Sequence, residues 1–455
     1  MKEHVLFVCQ NCGYESVKWL GKCPECQAWS SFSEEVRIRK KDEPRKAGKE
    51  KPAVRLVDRP EESYSRLSTG IGELDRTLGG GIVPGSVVMI GGDPGIGKST
   101  LMLQMFDTLK MKGDALYVSG EESWTQIHMR ARRLGIRSEQ ISFSPETDID
   151  ALISLLTRTG PTVVVIDSIQ TLYNSAIESI PGNVSQLRTC TGQIIQYAKE
   201  QQVPVFLVGH VTKEGNIAGP KVLEHMVDTV MYFEGDTQYD FRILRCTKNR
   251  FGPVNEIGIF KMGSVGLAEV ANPSEVFLTG DATAQSGDAL VIVMEGNRPF
   301  IIKIQALVTK TQFGMPQRTA TGIDHKRLNL LLAVLEKRFR KPFGFNDVFV
   351  KVSGGFRIDE PAADLGICMA LISGLEDFVL PKGSAYIGEI GLGGEIRSVN
   401  RLDERVREAE RLGLSEIIIP RSGRKVPDSG KGAVHQVASI GDLLKNSGGN
   451  AKPAR

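Results

Sequence analysis

Four short runs of continuous apolar residues punctuate the first half of the chain, at residues 86–90, 114–119, 161–167 and 203–210. Each is bounded by Gly, Pro or charged residues and lacks the in–out alternation of a half-solvated strand. They read as strands, and the continuous β-branched run at 161–167 reads as a parallel strand buried on both faces. Between them, apolar residues recur at three- and four-residue spacing, as after Ser99, which marks amphipathic helices. Strands alternating with helices predict an α/β fold: a parallel sheet with right-handed crossovers and ligands at the strand carboxyl ends. From about residue 271 the texture changes. Strand-like runs at 289–294, 300–304, 348–352 and 416–419 are interspersed with helical patterns at 327–340, 362–374 and 402–412. This predicts a second, α+β unit.

The length, 455 residues, calls for several domains. The expected division is a cysteine module at 1–36, a linker at 37–60, the α/β unit at 61–270, the α+β unit at 271–445 and a disordered tail at 446–455. The linker expectation rests on ten Lys or Arg, four Asp or Glu, three prolines and almost no apolar pattern across 37–60. Hydrophobic residues at 41% and charged residues at 24% fit a soluble globular protein. A net charge of +3 is nearly neutral, so nucleic-acid contact would need local patches. The N-terminus lacks a signal-peptide pattern, and no apolar run approaches the roughly 18 residues that span a bilayer. A cytoplasmic protein is expected.

Seven cysteines, an odd number, argue against a disulfide framework. Cys9-x-x-Cys12 and Cys23-x-x-Cys26, ten residues apart, read instead as a four-thiolate zinc site. Trp19, Trp29 and Phe32 supply most of the apolar matter near it, too little for a core without metal. Cys190, Cys246 and Cys368 stand singly and are expected in the core.

The chemistry concentrates after the first apolar run. Gly92, Asp93, Pro94, Gly95, Ile96, Gly97, Lys98, Ser99 and Thr100 fit the phosphate-loop pattern G-x-x-x-x-G-K-[ST] between a strand and a helix. The glycines let backbone N–H groups turn inward to cradle the phosphates of ATP, at a helix N-terminus. In that pattern Lys98 reaches the β- and γ-phosphates and Ser99 ligates Mg2+. Glu121, Glu122, Asp167 and His210 fall at the ends of the next three strands. Asp167 has the form of a Walker B carboxylate, which would complete the magnesium shell.

The lead-in at 70–75, the phosphate loop and the Glu121–Glu122 pair together resemble the RecA/DnaB-type ATPases. Lys248-Asn249-Arg250-Phe251-Gly252 matches the KNRFG signature of the RadA (Sms) family of bacterial DNA repair proteins. The order of zinc module, ATPase and last domain is similar to that family's over essentially the whole chain. The resemblance implies a RecA-like core whose ATP sites lie between subunits of a ring, most simply a homo-hexamer. It assigns Glu121 or Glu122, with Glu121 favoured, to polarising water, His210 to sensing the γ-phosphate, and Lys248 and Arg250 to the neighbour's site as fingers. By the same analogy, residues 173–186 and 212–221 (with Lys213, Asn216 and Lys221) face a channel holding single-stranded DNA. Branched DNA, the recombinase RecA and a replicative helicase are the implied partners, and branch migration in homologous recombination the implied task.

The region after 271 resembles the proteolytic domain of the Lon protease family. Its Ser–Lys dyad is missing: Glu360-Pro361-Ala362-Ala363-Asp364 stands at the nucleophile, and Asp403 aligns with the lysine. Acyl transfer then has no route, so a dead protease scaffold is expected. Basic stretches at 310–318 and 337–341 are candidate duplex-DNA contacts or simply solvated faces. An ATP-dependent Lon-type protease and a KaiC-like nucleotide-gated scaffold are the alternatives. The missing serine opposes the first, and the zinc module with KNRFG the second.

Overall fold

The computed structural model describes residues 3–10, 13–38, 65–109, 113–210, 220–235, 241–270, 274, 285–312, 314–353, 357–421 and 432–447. Cys12, most of the expected linker, residues 211–219 of the second expected DNA loop, and 448–455 lie outside them. The chain divides into two compact units, 1–270 and 271–455. No helix among the described residues is long and apolar enough to cross a membrane.

The first unit opens with β1 (Glu3–Cys9), β2 (Glu15–Ser16) and β3 (Phe32–Ile38). Then come α1 (Gly72–Thr77), β4 (Val87–Gly92), α2 (Lys98–Thr108), β5 (Ala115–Ser119), α3 (Trp124–Arg133), β6 (Ile141–Ser144), α4 (Ile149–Thr159) and β7 (Val163–Asp167). The short β8 (Ile177–Glu178) precedes α5 (Val184–Gln201), β9 (Val205–Val208) and α6 (Pro220–Glu224). β10 (Thr229–Glu234), β11 (Phe241–Asn249), β12 (Ile257–Gly263) and β13 (Gly266–Glu269) close the unit. One nine-stranded sheet runs β13-β12-β11-β10-β4-β9-β7-β5-β6. From β10 to β6 it is parallel, as the apolar runs predict; β11, β12 and β13 extend it as an antiparallel meander.

The continuous apolar runs have a direct structural cause. Successive residues of each central strand enter opposite cores: Val88 and Ile90 pack with Leu101, Met102 and Met105 of α2, while Val87 and Met89 pack with α4 and α5 through Leu152, Leu187 and Ile194. Both faces are buried, so no position is left for alternation. The lead-in carboxylates also have structural partners. Asp75 accepts from Thr69 N at 2.8 Å and Ser68 Oγ at 2.6 Å, and the buried Glu73 accepts from Ile259 N at 3.0 Å.

In the cysteine module, β1 pairs with β2 and with β3. Cys9, Cys23 and Phe32 form its small core. Of the three aromatics near the cysteines, Phe32 enters this core, while Trp19 and Trp29 are 57% and 73% exposed. Two residues assigned to the linker, Arg37 and Ile38, instead close β3, and Val36 and Arg37 pair with Glu178 and Ile177 of β8. The module is therefore docked on the ATPase core rather than merely tethered to it. Cys190, Cys246 and Cys368 are buried as expected.

The second unit is built on a seven-stranded mixed sheet. Its centre is the hairpin of β14 (Asp288–Glu295) and β15 (Arg298–Lys310), and β17 (Asn346–Val352) pairs with β15 on the far side. β16 (Arg318–Thr321) flanks β17, and β18 (Ser384–Tyr386), β21 (Glu416–Pro420) and β22 (Ala433–Val437) extend the β14 side, with β19 (Glu389–Ile390) and β20 (Ile396–Arg397) forming a separate pair. The helices are α7 (His325–Phe339), α8 (Asp364–Glu376), α9 (Leu402–Arg411) and α10 (Ile440–Ser447). α8 lies so close to β14 that a Cβ on Gly366 would meet Val291 Cγ1 at 2.1 Å.

Candidate nucleotide site and zinc module

β4 ends at Gly92 and α2 begins at Lys98, so the phosphate loop fills the gap with Gly92, Gly95 and Gly97 at φ 150°, 77° and 120°. A Cβ at Gly92 would sit 2.6 Å from Phe233 O, and one at Gly97 2.9 Å from Met262 Cε. Glycine is required at Gly92 by both conformation and space, and at Gly97 by conformation. Lys98 is 4% exposed and donates to the carbonyls of Gly92 (2.7 Å) and Asp93 (2.9 Å). Burial lowers its pKa to about 8, against the opposing pull of Asp167, Asp93 and Glu121.

Around it stand the strand-end residues. Glu121 accepts from the Ser168 hydroxyl and lies 3.2 Å from His210 Nε2; the His210 and Ser168 bonds hold its carboxyl below the usual range despite partial burial. Glu122 points elsewhere, receiving Arg130 Nη2 at 2.5 Å. Asp167, 7% exposed, accepts from Tyr117 OH at 2.5 Å. Burial and then Asp167 push the Tyr117 phenol well above its ordinary pKa, so it stays a donor. Tyr117, Ser168 and Arg130 are site-shaping residues that the sequence reading missed. Tyr117 looks like core filling, but Ser168 directly follows the Walker B aspartate and was readable.

The fit to a nucleotide and Mg2+ is testable on the residues themselves. Two of the three Lys98 donors go to loop carbonyls, and His210 Nδ1 is buried with no partner among the described residues. With Ser99 and Asp167 adjoining, the donor set suits a polyphosphate with a hard cation.

The structure does not bring Lys248 and Arg250 to this cluster. Thr229 pairs with Val88 on one side and Asn249 on the other. Asn249 therefore sits level with the start of β4, whereas the phosphate loop follows its end. The four residues from Val88 to Gly92 put about 13 Å of strand between the two levels. Lys248 donates to the carbonyls of Glu224 (2.6 Å), His225 (3.3 Å) and Val227 (2.9 Å), just beyond α6, and burial with the nearby Arg250 lowers its pKa. Arg250 Nη1 meets the buried Asp228 at 3.1 Å and stays half exposed.

In the cysteine module the ligand atoms of Cys9, Cys23 and Cys26 lie within 4.8 Å of one another, with Cys9 and Cys26 sulfurs 3.7 Å apart. Tetrahedral zinc with bonds of about 2.3 Å needs sulfurs about 3.8 Å apart, so the three thiols fit the metal. The fourth expected ligand, Cys12, is outside the described residues.

At the place expected for a protease dyad, Ala362 and Ala363 are buried in a 3-10 turn before α8, and Asp403 is exposed in the first turn of α9. Between them, the buried Arg405 makes a bidentate pair with Glu360 at 2.7 and 2.6 Å.

Three family models match: a rubredoxin metal binding domain at 7–34, an AAA domain at 54–216 and the Lon protease (S16) C-terminal proteolytic domain at 333–448. Over 450 residues the chain is 48% identical to the DNA repair protein RadA of Bacillus subtilis (strain 168), covering 97% of this chain and 98% of that one. The chain belongs to the RadA family of DNA repair proteins. RadA of Halalkalibacterium halodurans is 50% identical over 426 residues, 92% of this chain and 93% of its own. RadA of Listeria monocytogenes is 47% identical over 452 residues, 98% of each. In this chain an ATPase domain stands between a zinc ribbon and a Lon-type domain. The cysteine cluster and the ATPase domain support the use of zinc, nucleotide and magnesium.

Proposed function

We propose that this chain is a cytoplasmic, DNA-dependent ATPase of helicase type that works as a homo-hexameric ring and drives branch migration of recombination intermediates. One observation carries the ring: the KNRFG hairpin sits at the opposite level of the sheet from its own phosphate loop, so its cations serve a site only across a subunit boundary. In this reading residues 92–100 hold the polyphosphate, Lys98 contacts its terminal phosphates, and Ser99 and Asp167 hold Mg2+. When bound, Mg2+ would neutralise charge on the β- and γ-oxygens. Glu121, oriented by Ser168 and His210, holds the attacking water; Glu122 is committed to Arg130. His210, beside Glu121, senses the γ-phosphate. Lys248 and Arg250 stabilise transition-state charge in the neighbouring subunit, with Lys248 first leaving its carbonyl cage.

Single-stranded and branched DNA are the substrates, met by segments 173–186 and 212–221; the recombinase RecA and a replicative helicase are the proposed protein partners. The Lon-type unit hydrolyses no peptide, because alanines occupy the nucleophile's place and Arg405 is consumed by Glu360. A chain mixture tests the ring. Arg250→Ala and Lys98→Ala, each lowering turnover on the order of 10³-fold alone, should regain partial ATPase together, because some interfaces then pair an intact loop with an intact finger. Mixed rings that form but stay inactive would mean that Arg250 acts within its own subunit or only structurally.

A further inference from the structure

The cysteine module reaches into the ATPase core at two points. The sheet ordered β2-β1-β3-β8 continues from the module into the segment after the Walker B strand. β8 is two residues long, and β3 is its one strand partner among the described residues. At the second point, Arg188 of α5 donates to Gly13 O at 3.1 Å, just beyond the first cysteine knuckle. The approach is close: a Cβ on Gly13, where φ is +74°, would lie 2.5 Å from Arg188 Nη1 and 2.9 Å from Val184 Cγ1.

On the core side a single buried side chain gathers the same segment. Gln186, 1% exposed, accepts from Asn174 N at 2.7 Å and donates to the carbonyls of Ile177 (3.0 Å) and Ser179 (2.9 Å). The segment starts at Ser168, whose hydroxyl holds Glu121, and passes Gln170, which donates to His210 O at 3.3 Å. An unbroken chain of contacts thus links the cysteine knuckles to the residues beside the phosphate loop.

We propose that the zinc module is a positioning element of the ATPase: bound metal fixes the knuckles, Gly13 and β3 then splint β8, and the splint holds segment 173–183 in the shape that engages DNA. The consequence for DNA rests on the reading that this segment contacts it. The splint itself rests only on the contacts above. Among the described residues the hold rests on two backbone pairs and the Arg188–Gly13 contact, so it can be weakened without unfolding the core.

The experiment uses the full chain, with zinc content, amide hydrogen exchange, basal ATPase and DNA-stimulated ATPase measured together. Zinc chelation should raise exchange at 174–179 by about tenfold or more while β7 and β9 stay protected. Arg188→Ala should keep its zinc and basal turnover, yet raise exchange at 174–179 and the single-stranded DNA needed for half-maximal stimulation by at least about fivefold, the effect of losing the guanidinium's hold on Gly13. Arg188→Lys, which retains a donor for Gly13 O, should recover part of both. Unchanged protection at 174–179 after metal removal overturns the proposal. Protection lost equally across β4, β7 and β9 also overturns it, by making the module general support. If the wild-type ATPase ignores DNA, the functional reading fails, while the exchange data still decide on the splint.

Discussion

Each compact unit buries a basic side chain against carboxylates, and the two arrangements differ in what they leave open. Arg405 commits four of its five N–H donors: to Asn400 O, to Ile292 O, and to both oxygens of Glu360, which also receives Met294 N. Lys98 is buried as deeply, but it rests on backbone carbonyls of its own loop, and the charges of Asp167, Asp93 and Glu121 act on it as well. The first cluster is nearly closed, with one Arg405 N–H left over and the guanidinium itself buried. The second holds a cation at a depressed pKa, waiting for negative charge that the chain does not supply in full. Burial of charge marks both places; incomplete pairing marks the one that works on a ligand.

Removing each cation sharpens this contrast. Lys98→Ala should lower ATP turnover on the order of 10³-fold while leaving the unfolding transition nearly unchanged, because its partners are carbonyls that the loop can rehydrate. Phosphate release and thermal melting check the two halves, and a turnover near wild type would remove the nucleotide site from this loop. Arg405→Ala should do the reverse. It leaves Glu360, 25% exposed, without its buried partner. The cost is about 2–3 kcal/mol, less than for a fully buried charge because solvent reaches the carboxylate, and ATP turnover at a temperature below the new melting point stays largely intact. Replacing both partners, Arg405→Met with Glu360→Leu, should recover most of the loss, as expected for a nearly closed pair without a ligand. A denaturant titration measures this, and failure of the double variant to recover would point to a role beyond packing.

The pH response distinguishes the clusters next. Burial places the Lys98 pKa at about 8 in the folded protein, below its ordinary 10.5. The unfolded chain therefore binds the extra proton between these values, so this group's penalty on folding is full below about 8 and is relieved as pH rises towards 10.5. Ligand binding has the opposite sign. Phosphates need the ammonium form, so ATP affinity should fall by about tenfold per pH unit above about 8, with uptake of one proton on binding. Binding titrations from pH 7 to 10 test it, and Lys98→Arg, which stays charged, should flatten the profile. A flat profile in the wild-type protein would contradict a buried, depressed Lys98.

The sequence exposed whatever is local. The four apolar runs became β4, β5, β7 and β9 because strands buried on both faces need no alternation, and the phosphate loop was legible because its glycines satisfy local backbone demands. Long-range pairing was not legible. Nothing in residues 37–60 announces that Val36 lies beside Glu178, so composition alone suggested a free tether. The exposure of Trp19 and Trp29 was not legible either: the small core forms around the cysteines and Phe32, and large aromatics nearby stay outside it. The Tyr117 hydroxyl stayed hidden because a tyrosine within an apolar run is most often packing.

Tyr117 also supplies the smallest expected effect. Its ring is 1% exposed and meets Phe106 edge-on at 6.2 Å, so phenylalanine can take its place without a cavity. The hydroxyl is then the sole loss, and among the described residues it serves the 2.5 Å bond to Asp167. That bond fixes the rotation of the carboxylate proposed to complete the magnesium shell. Asp167 would still carry its charge in Tyr117→Phe, but both oxygens would sample more orientations. A charge-assisted bond of this kind contributes about 1.5–3 kcal/mol, part of which the freed carboxylate regains from water or from Lys98. The expected outcome is a rise of about three- to tenfold in the Mg2+ needed for half-maximal turnover, with ATP binding in the absence of Mg2+ unchanged. Measuring the two titrations side by side separates orientation from packing. A variant that melts earlier yet keeps the wild-type Mg2+ requirement would show that the hydroxyl serves the core and not the site.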